Sequence, residues 1–280
     1  MKKMKVGLIA ATPLLGNKEG NLKRIEKLVK QANADLLVFG EMFLTGYGKN
    51  TRWNELAEDL EGPSLKFVSK LAEEHNKYIV MGCPMASKDR VYNSALIFYP
   101  NGKKGVYKKN YLPSFGLFAE KKSFSQWKGI EVFDLEIGKI SLCICYDAFF
   151  PELWKLAALE GTELMICISA SPFQTRHYFE TVLPARALEN TIFVAYVNLV
   201  GKQDDMFFWG GSQVYGPRGN LMVKAPYFKE RIDYAELDFG EIEDAKADRP
   251  TLDDTERWHF EELSKILGDR QNRTGSSTTF

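Results

Sequence analysis

Residues 139–154 read KISLCICYDAFFPELW, with Cys145 at the centre. Residues 140–144 are apolar apart from Ser141 and follow Gly138, the pattern of a buried strand, while Pro151 opens the amphipathic run PELWKLAALEG that ends at Gly161. Cys145 therefore stands where a strand stops and a helix is about to start. A thiol at such a junction can have free backbone N–H groups beside it and a helix N-terminus nearby, which lower a thiol pKa and stabilise an oxyanion. The competing reading is a small buried hydrophobe, like Cys143 two places earlier.

Outward from this stretch the same grammar recurs. Residues 5–11 are strand-like, 17–33 carry Leu22, Ile25, Leu28, Val29 and Ala32 on one helical face, and 36–39 form a short buried-type strand closed by Gly40 and Glu41. Gly62-Pro63 starts a helix to about residue 75, with Leu65, Val68, Leu71 and Ala72 inward. Strands are expected at 78–81 and 91–99, and Pro100-Asn101-Gly102 turns the chain into a partner ending near Lys108. Residues 110–129 are irregular and aromatic, the character of a functional loop. A hairpin at 132–145, the helix after Pro151, a strand at 164–169, a helix at 176–190 and a strand at 192–198 follow. Strands at 212–215, 221–224 and 231–237 and a helix at 254–267 complete the pattern. The mixed-charge segment 241–249 reads as a solvated face, and residues 268–280 as a polar C-terminal tail after a single α/β domain spanning 1–267.

Composition narrows the function classes. With 280 residues, 45% of them hydrophobic, the chain can bury a large core. Its 37 basic and 37 acidic residues cancel, so no field gathers nucleic acid or an anionic membrane. The four cysteines lie in apolar runs without a C-x-x-C pair and the three histidines are scattered, which speaks against a disulfide framework and against a metal site. Residues 6–11 are too short for a signal peptide core, and no segment nears the ~18–20 apolar residues of a membrane span. A cytoplasmic protein is expected. The glycine pairs around 210–219 match neither dinucleotide nor P-loop patterns.

Three polar groups each close or follow an apolar or strand-like run: Glu41 after LLVFG, Lys109 after GVYK and Cys145 after SLCI. Singly, the carboxylate and the ammonium read equally well as surface groups. Together with a thiol they suffice for acyl transfer without histidine. GEMFLTGY around Glu41, YKKNYLP around Lys109 and CYDAFFPE around Cys145 resemble, in order, the motifs of the nitrilase (carbon-nitrogen hydrolase) superfamily. The segments NYLPSFGLFAE, SASPF and VNLVGKQDDMFFWGGS are similar to the glutaminase domain of glutamine-dependent NAD synthetases, although the chain lacks their pyrophosphatase loop and has Tyr146 where they usually carry Glu.

The resemblance implies a four-layer α-β-β-α sandwich and a cofactor-free, metal-free amidohydrolase forming homodimers or larger homo-oligomers, with residues 249–267 and the tail as a subunit contact. It implies Cys145 as nucleophile, Glu41 as general base, Lys109 and the backbone N–H of Tyr146 as oxyanion donors, and Glu120 as an auxiliary carboxylate. It places Tyr47, Phe118, Ser171 and Phe173 around the acyl pocket. Arg176 either points inward to meet a substrate carboxylate or is solvated at its helix start. The expected reaction is hydrolysis of a small non-peptide amide through a cysteine thioester. A stand-alone glutaminase feeding a separate synthetase, a nitrilase and a non-catalytic scaffold are the alternatives.

Overall fold

The structure, a computed structural model, describes residues 3–275. Its first half runs β1 (Lys3–Ala10), α1 (Lys18–Gln31), β2 (Leu36–Phe39), α2 (Trp53–Leu56), α3 (Pro63–Glu74), β3 (Tyr78–Ser87), β4 (Arg90–Phe98) and β5 (Lys104–Lys108). The second continues through β6 (Val132–Asp134), β7 (Lys139–Ile144), α4 (Pro151–Leu159), β8 (Leu164–Ser169), α5 (Arg176–Asn190), β9 (Phe193–Asn198), β10 (Val200–Gln203), β11 (Met206–Trp209), β12 (Gln213–Tyr215) and β13 (Leu221–Lys224). β14 (Arg231–Asp238), α6 (Gly240–Asp248) and α7 (Arg257–Gly275) close the chain.

Two six-stranded sheets result, ordered β14-β1-β2-β3-β4-β5 and β13-β12-β9-β8-β7-β6. Each has three parallel central strands, β1-β2-β3 and β7-β8-β9, flanked by antiparallel ones. Strand periodicity explains the layering. In the first sheet Val6, Leu8, Leu36, Val38, Val80 and Ile97 belong to the core shared with β7, β8 and β9. The intervening Ile9, Leu37, Phe39, Ile79, Met81 and Phe98 face Ile25 and Val29 of α1 and Leu65, Val68 and Leu71 of α3. Each such side chain contributes roughly 1.5–3 kcal/mol through burial. α4 and α5 cover the second sheet with Trp154, Ala157, Phe179 and Leu183, completing the α-β-β-α sandwich.

Local signals hold where expected. Asn17 caps α1 by accepting the Gly20 N–H at 2.8 Å, and Pro63 and Pro151 occupy the first turns of α3 and α4. Several segments differ from the sequence reading, the short α2 among them. β3 extends past residue 81 to Ser87, because β4 pairs with it in one unbroken ladder from Ile79↔Phe98 to Ser87↔Arg90. The unexpected β10-β11 hairpin pairs Val200 with Trp209 through Gln203 with Met206. Residues 241–249 are not merely a charged face: α6 buries Ile242 and Ala245 beneath its acidic surface. α7 begins at Arg257 and continues past residue 267 to Gly275, while 276–280 lie outside the described residues. Among the described residues, no helix is long and apolar enough to cross a membrane.

Candidate active site

The strand directions bring the polar groups to one end of the sandwich. Glu41 follows β2 and Cys145 follows β7, both at the C-terminal ends of parallel strands, where open α/β sheets gather their ligands. Two antiparallel steps separate β5 from β3, so β5 runs in the same direction as β3 and delivers Lys109 to the same end as Glu41. The turn at Glu41 is tightly held. Met42 adopts a left-handed φ of 54°, and β3 passes so close that a Cβ on Gly82 would stand 2.4 Å from the Met42 amide nitrogen.

Glu41, Lys109 and Glu120 form a sealed ionic cluster, each side chain about 1% exposed. The Lys109 Nζ donates to Glu41 Oε1 and to Glu120 Oε1, both at 2.8 Å. Glu41 has two further donors, Asn93 Nδ2 on Oε1 at 2.7 Å and the Ala170 N–H on Oε2 at 2.7 Å. Glu120 Oε1 also accepts from the Tyr47 hydroxyl at 2.6 Å, whereas its Oε2 is buried without a partner. Burial would depress the Lys109 ammonium, but the charges of Glu120 and Glu41 outweigh it and hold it above its ordinary range. Burial pushes Glu120 up to about 7; Lys109 opposes that rise and the charge on Glu41 reinforces it. One cation thus serves two carboxylates, and Glu120, with an unpartnered oxygen, is shifted by burial toward its protonated form.

Cys145 adopts φ 48°, the left-handed conformation unusual for a non-glycine residue, and leads into the short 3-10 turn 145–149. This strand-turn-helix geometry resembles a nucleophile elbow, which aims the side chain out of the sheet. The first N–H groups of such a turn, Tyr146 among them, lack intrahelical partners. Burial pushes the Cys145 thiol well above its usual value, and the charge on Glu41 adds to this, while Lys109 and the Ser169 hydroxyl pull it down. The resting group is therefore a neutral thiol.

Asp147 fixes this turn to the segment that carries Lys109. Its Oδ2 accepts from the Ile144 N–H at 3.0 Å and the Tyr107 hydroxyl at 2.8 Å, and its Oδ1 from the Tyr111 N–H at 2.9 Å. Residues 107 and 111 flank Lys109 symmetrically, so one carboxylate sets nucleophile and ammonium in register. Burial raises Asp147 to about 6 against these donors and Lys109. Across the site, Asn198 Oδ1 accepts from the Ser171 N–H at 2.8 Å and its Nδ2 donates to Ser171 O at 3.1 Å, holding the loop whose Ala170 N–H meets Glu41.

Cys145 opens onto a cavity of about 260 Å³ walled by Phe115, Phe118, Tyr146, Phe149, Tyr178 and Phe179, with Ser171 and Thr175 at its edge. The arrangement provides a thiol, a hydrogen-bonded carboxylate, an ammonium and an apolar recess, sufficient for nucleophilic acyl transfer with no metal. Among the described residues, no group of His, Cys, Asp and Glu is placed to hold a metal ion.

The carbon-nitrogen hydrolase family model matches residues 5–247. The chain belongs to the carbon-nitrogen hydrolase family. A nitrilase of Pyrococcus abyssi is 32% identical over 243 residues, covering 84% of this chain and 90% of its own. The glutamine-dependent NAD+ synthetase of Aquifex aeolicus is 33% identical over 81% of this chain, but the match spans only 41% of that enzyme. The crystal structure of a carbon-nitrogen hydrolase from Helicobacter pylori G27 superimposes with a TM-score of 0.87 at 26% identity, covering 93% of this chain and 98% of the other.

In this carbon-nitrogen hydrolase the structure brings together Glu41, Lys109, Glu120, Cys145 and Tyr146, with Phe118 and Ser171 lining the cavity. Three other residues are not on the cavity wall. Tyr47 does not wall the cavity; it is buried and spends its hydroxyl on Glu120. Phe173 is 42% exposed and packs on Phe228, with ring centroids 5.3 Å apart. Arg176 does not line the cavity either: its guanidinium lies 4.9 Å from the Tyr227 ring and 5.3 Å from the Phe173 ring, with Glu180 at 3.9 Å. Sequence reasoning passed over Asn93, Asp147 and Asn198. Asn93 had a legible signal, a lone amide inside the apolar strand RVYNSALIF.

Proposed function

We propose that this hydrolase cleaves the carbon-nitrogen bond of a small non-peptide amide through a Cys145 thioester. The observation that carries the reading is the sealed Glu41–Lys109–Glu120 cluster adjoining a buried thiol. A neutral thiol needs a base at the moment of attack. Glu41 takes the Cys145 proton as Sγ adds to the amide carbonyl, and Lys109 with the Tyr146 N–H holds the developing oxyanion. Collapse breaks the carbon-nitrogen bond as Glu41 passes the proton to the departing nitrogen, leaving a thioester and free ammonia or amine. Water, deprotonated by Glu41, then adds to the thioester, and the departing sulfur recovers its proton. Tyr47 and Lys109 hold Glu120 beside this path, where its free Oε2 can accept from the substrate N–H.

The test is intact-protein mass spectrometry with ammonia release, using wild type and Cys145→Ala on amides and nitriles. Ammonia from wild type with an acyl adduct absent from the variant is expected. Full amide turnover by Cys145→Ala sinks the reading. A stand-alone glutaminase is the second reading, favoured by the match to the NAD+ synthetase segment. Glutamine turnover that rises only when a synthetase is added would support it.

A further inference from the structure

We propose that the acyl group this site accepts is uncharged and apolar, of short-chain or single-ring size, and that the aromatic cavity selects it; the inference rests on the amide-hydrolase reading above. Glutamine and other amides bearing a charge on the acyl side are then poor substrates.

Three independent features point this way. None of the residues lining the cavity carries a charge. The charged groups nearest in sequence are already committed. Arg176, adjacent to the cavity residue Thr175, stacks on Phe173 and Tyr227 and faces Glu180. Glu41, Lys109 and Glu120 are about 1% exposed, none of them lines the cavity, and Lys109 already bonds both carboxylates, so the recess itself offers a charged tail no counter-charge. A charged acyl tail in this recess would give up water to apolar walls without a counter-charge in return, an unfavourable transfer.

Size gives the third argument. A dry cavity of about 150 Å³ holds a benzene ring. At about 260 Å³, the recess beside Cys145 takes a ring or a chain of several carbons. Its walls offer ring faces and edges: Phe115 lies edge-on to Tyr146 at 5.2 Å and to Phe118 at 6.0 Å, and Phe149 meets Phe179 at 5.0 Å. Ser171 and Thr175 hydrogen-bond to each other, leaving little polar capacity for a substrate tail.

The deciding experiment measures kcat/KM on acetamide, propionamide, butyramide, hexanamide and phenylacetamide against glutamine and succinamate, with Cys145→Ala as blank. Each added methylene is expected to raise kcat/KM about fourfold until the recess is full. Glutamine and succinamate should fall at least ~100-fold below butyramide. Phe115→Ala, at a residue 53% exposed and therefore mild for folding, should lower the butyramide-to-acetamide ratio. Cys145-dependent turnover of glutamine or succinamate that equals or exceeds butyramide overturns the apolar selection and leaves the amidase reading standing. Silence of the folded enzyme toward every amide overturns both.

Discussion

Cys145 belongs to two environments built in opposite ways. The ionic cluster is polar, sealed and over-determined: Glu41 alone receives Lys109, Asn93 and the Ala170 N–H, and Asp147 ties the nucleophile turn to the residues flanking Lys109. The cavity is apolar and partly open, with Phe115 and Tyr178 each more than half exposed on irregular or surface positions. The first fixes atoms to within a hydrogen bond, as charge stabilisation requires, while the second can change its walls without disturbing the first. Reaction type and substrate choice are thus separable in this fold.

The largest expected effect comes from breaking the cluster at its only shared cation. Lys109→Met leaves Glu41 and Glu120 buried without their counter-charge, and removing one partner of such a site costs about 3–5 kcal/mol. Chemical denaturation should show that loss, and kcat should fall ~100 to 1000-fold with the oxyanion donor. A change below about 1 kcal/mol would mean that the cluster is not sealed.

Gly82→Ala strikes the same cluster through the backbone. Its methyl would stand 2.7 Å from the Glu41 Cα as well as against the Met42 nitrogen, so the turn must shift at a cost of about 1–3 kcal/mol. Turnover should drop with stability, while the chain-length preference among amides stays unaltered. An equal shift in that preference would show that cluster and cavity are not separable.

Glu120→Gln sharpens the contrast at lower amplitude. Because burial raises Glu120 from the ordinary 4.5 to about 7, the folded state holds this proton more tightly than the unfolded chain. The favourable contribution is complete below about pH 4.5 and is lost as pH rises toward 7. Wild type should therefore lose stability relative to Glu120→Gln between those values and run parallel above them. Urea midpoints at pH 5 and pH 8 decide it, and a pH-independent difference would contradict the assignment.

Much of this was readable in the residues, unevenly. Strands at 36–39, 164–169 and 221–224 and the helix at 176–190 coincide with β2, β8, β13 and α5, because each run is long enough for one element and its apolar pattern fits only one period. α6 was hidden because only Ile242 and Ala245 of its nine residues are buried, too few to impose a helical period on the charges around them. In the site, Glu41, Lys109 and Cys145 were legible as polar interruptions of strand-like runs. Their mutual geometry was not, since it depends on β5 running in the same direction as β3 across two hairpins. Arg176 shows the limit most clearly: its position beside the cavity was visible, but the rings of Phe173 and Tyr227 that hold its guanidinium come together only in the fold.

Burial, reinforced by the charge on Glu41, raises the Cys145 thiol at rest, and Glu41 removes its proton only when an amide is attacked. The measurement that tests it most directly pairs two rates in wild type and Glu41→Gln: alkylation of Cys145 by iodoacetamide, read by intact mass across pH 6 to pH 9, and amide turnover. Removing the carboxylate charge should let Cys145 ionise at lower pH, so alkylation speeds up while turnover is lost. If alkylation and turnover fall together, or if wild-type alkylation already reaches a plateau below pH 7, the resting thiol is not neutral and this account of Glu41 is wrong.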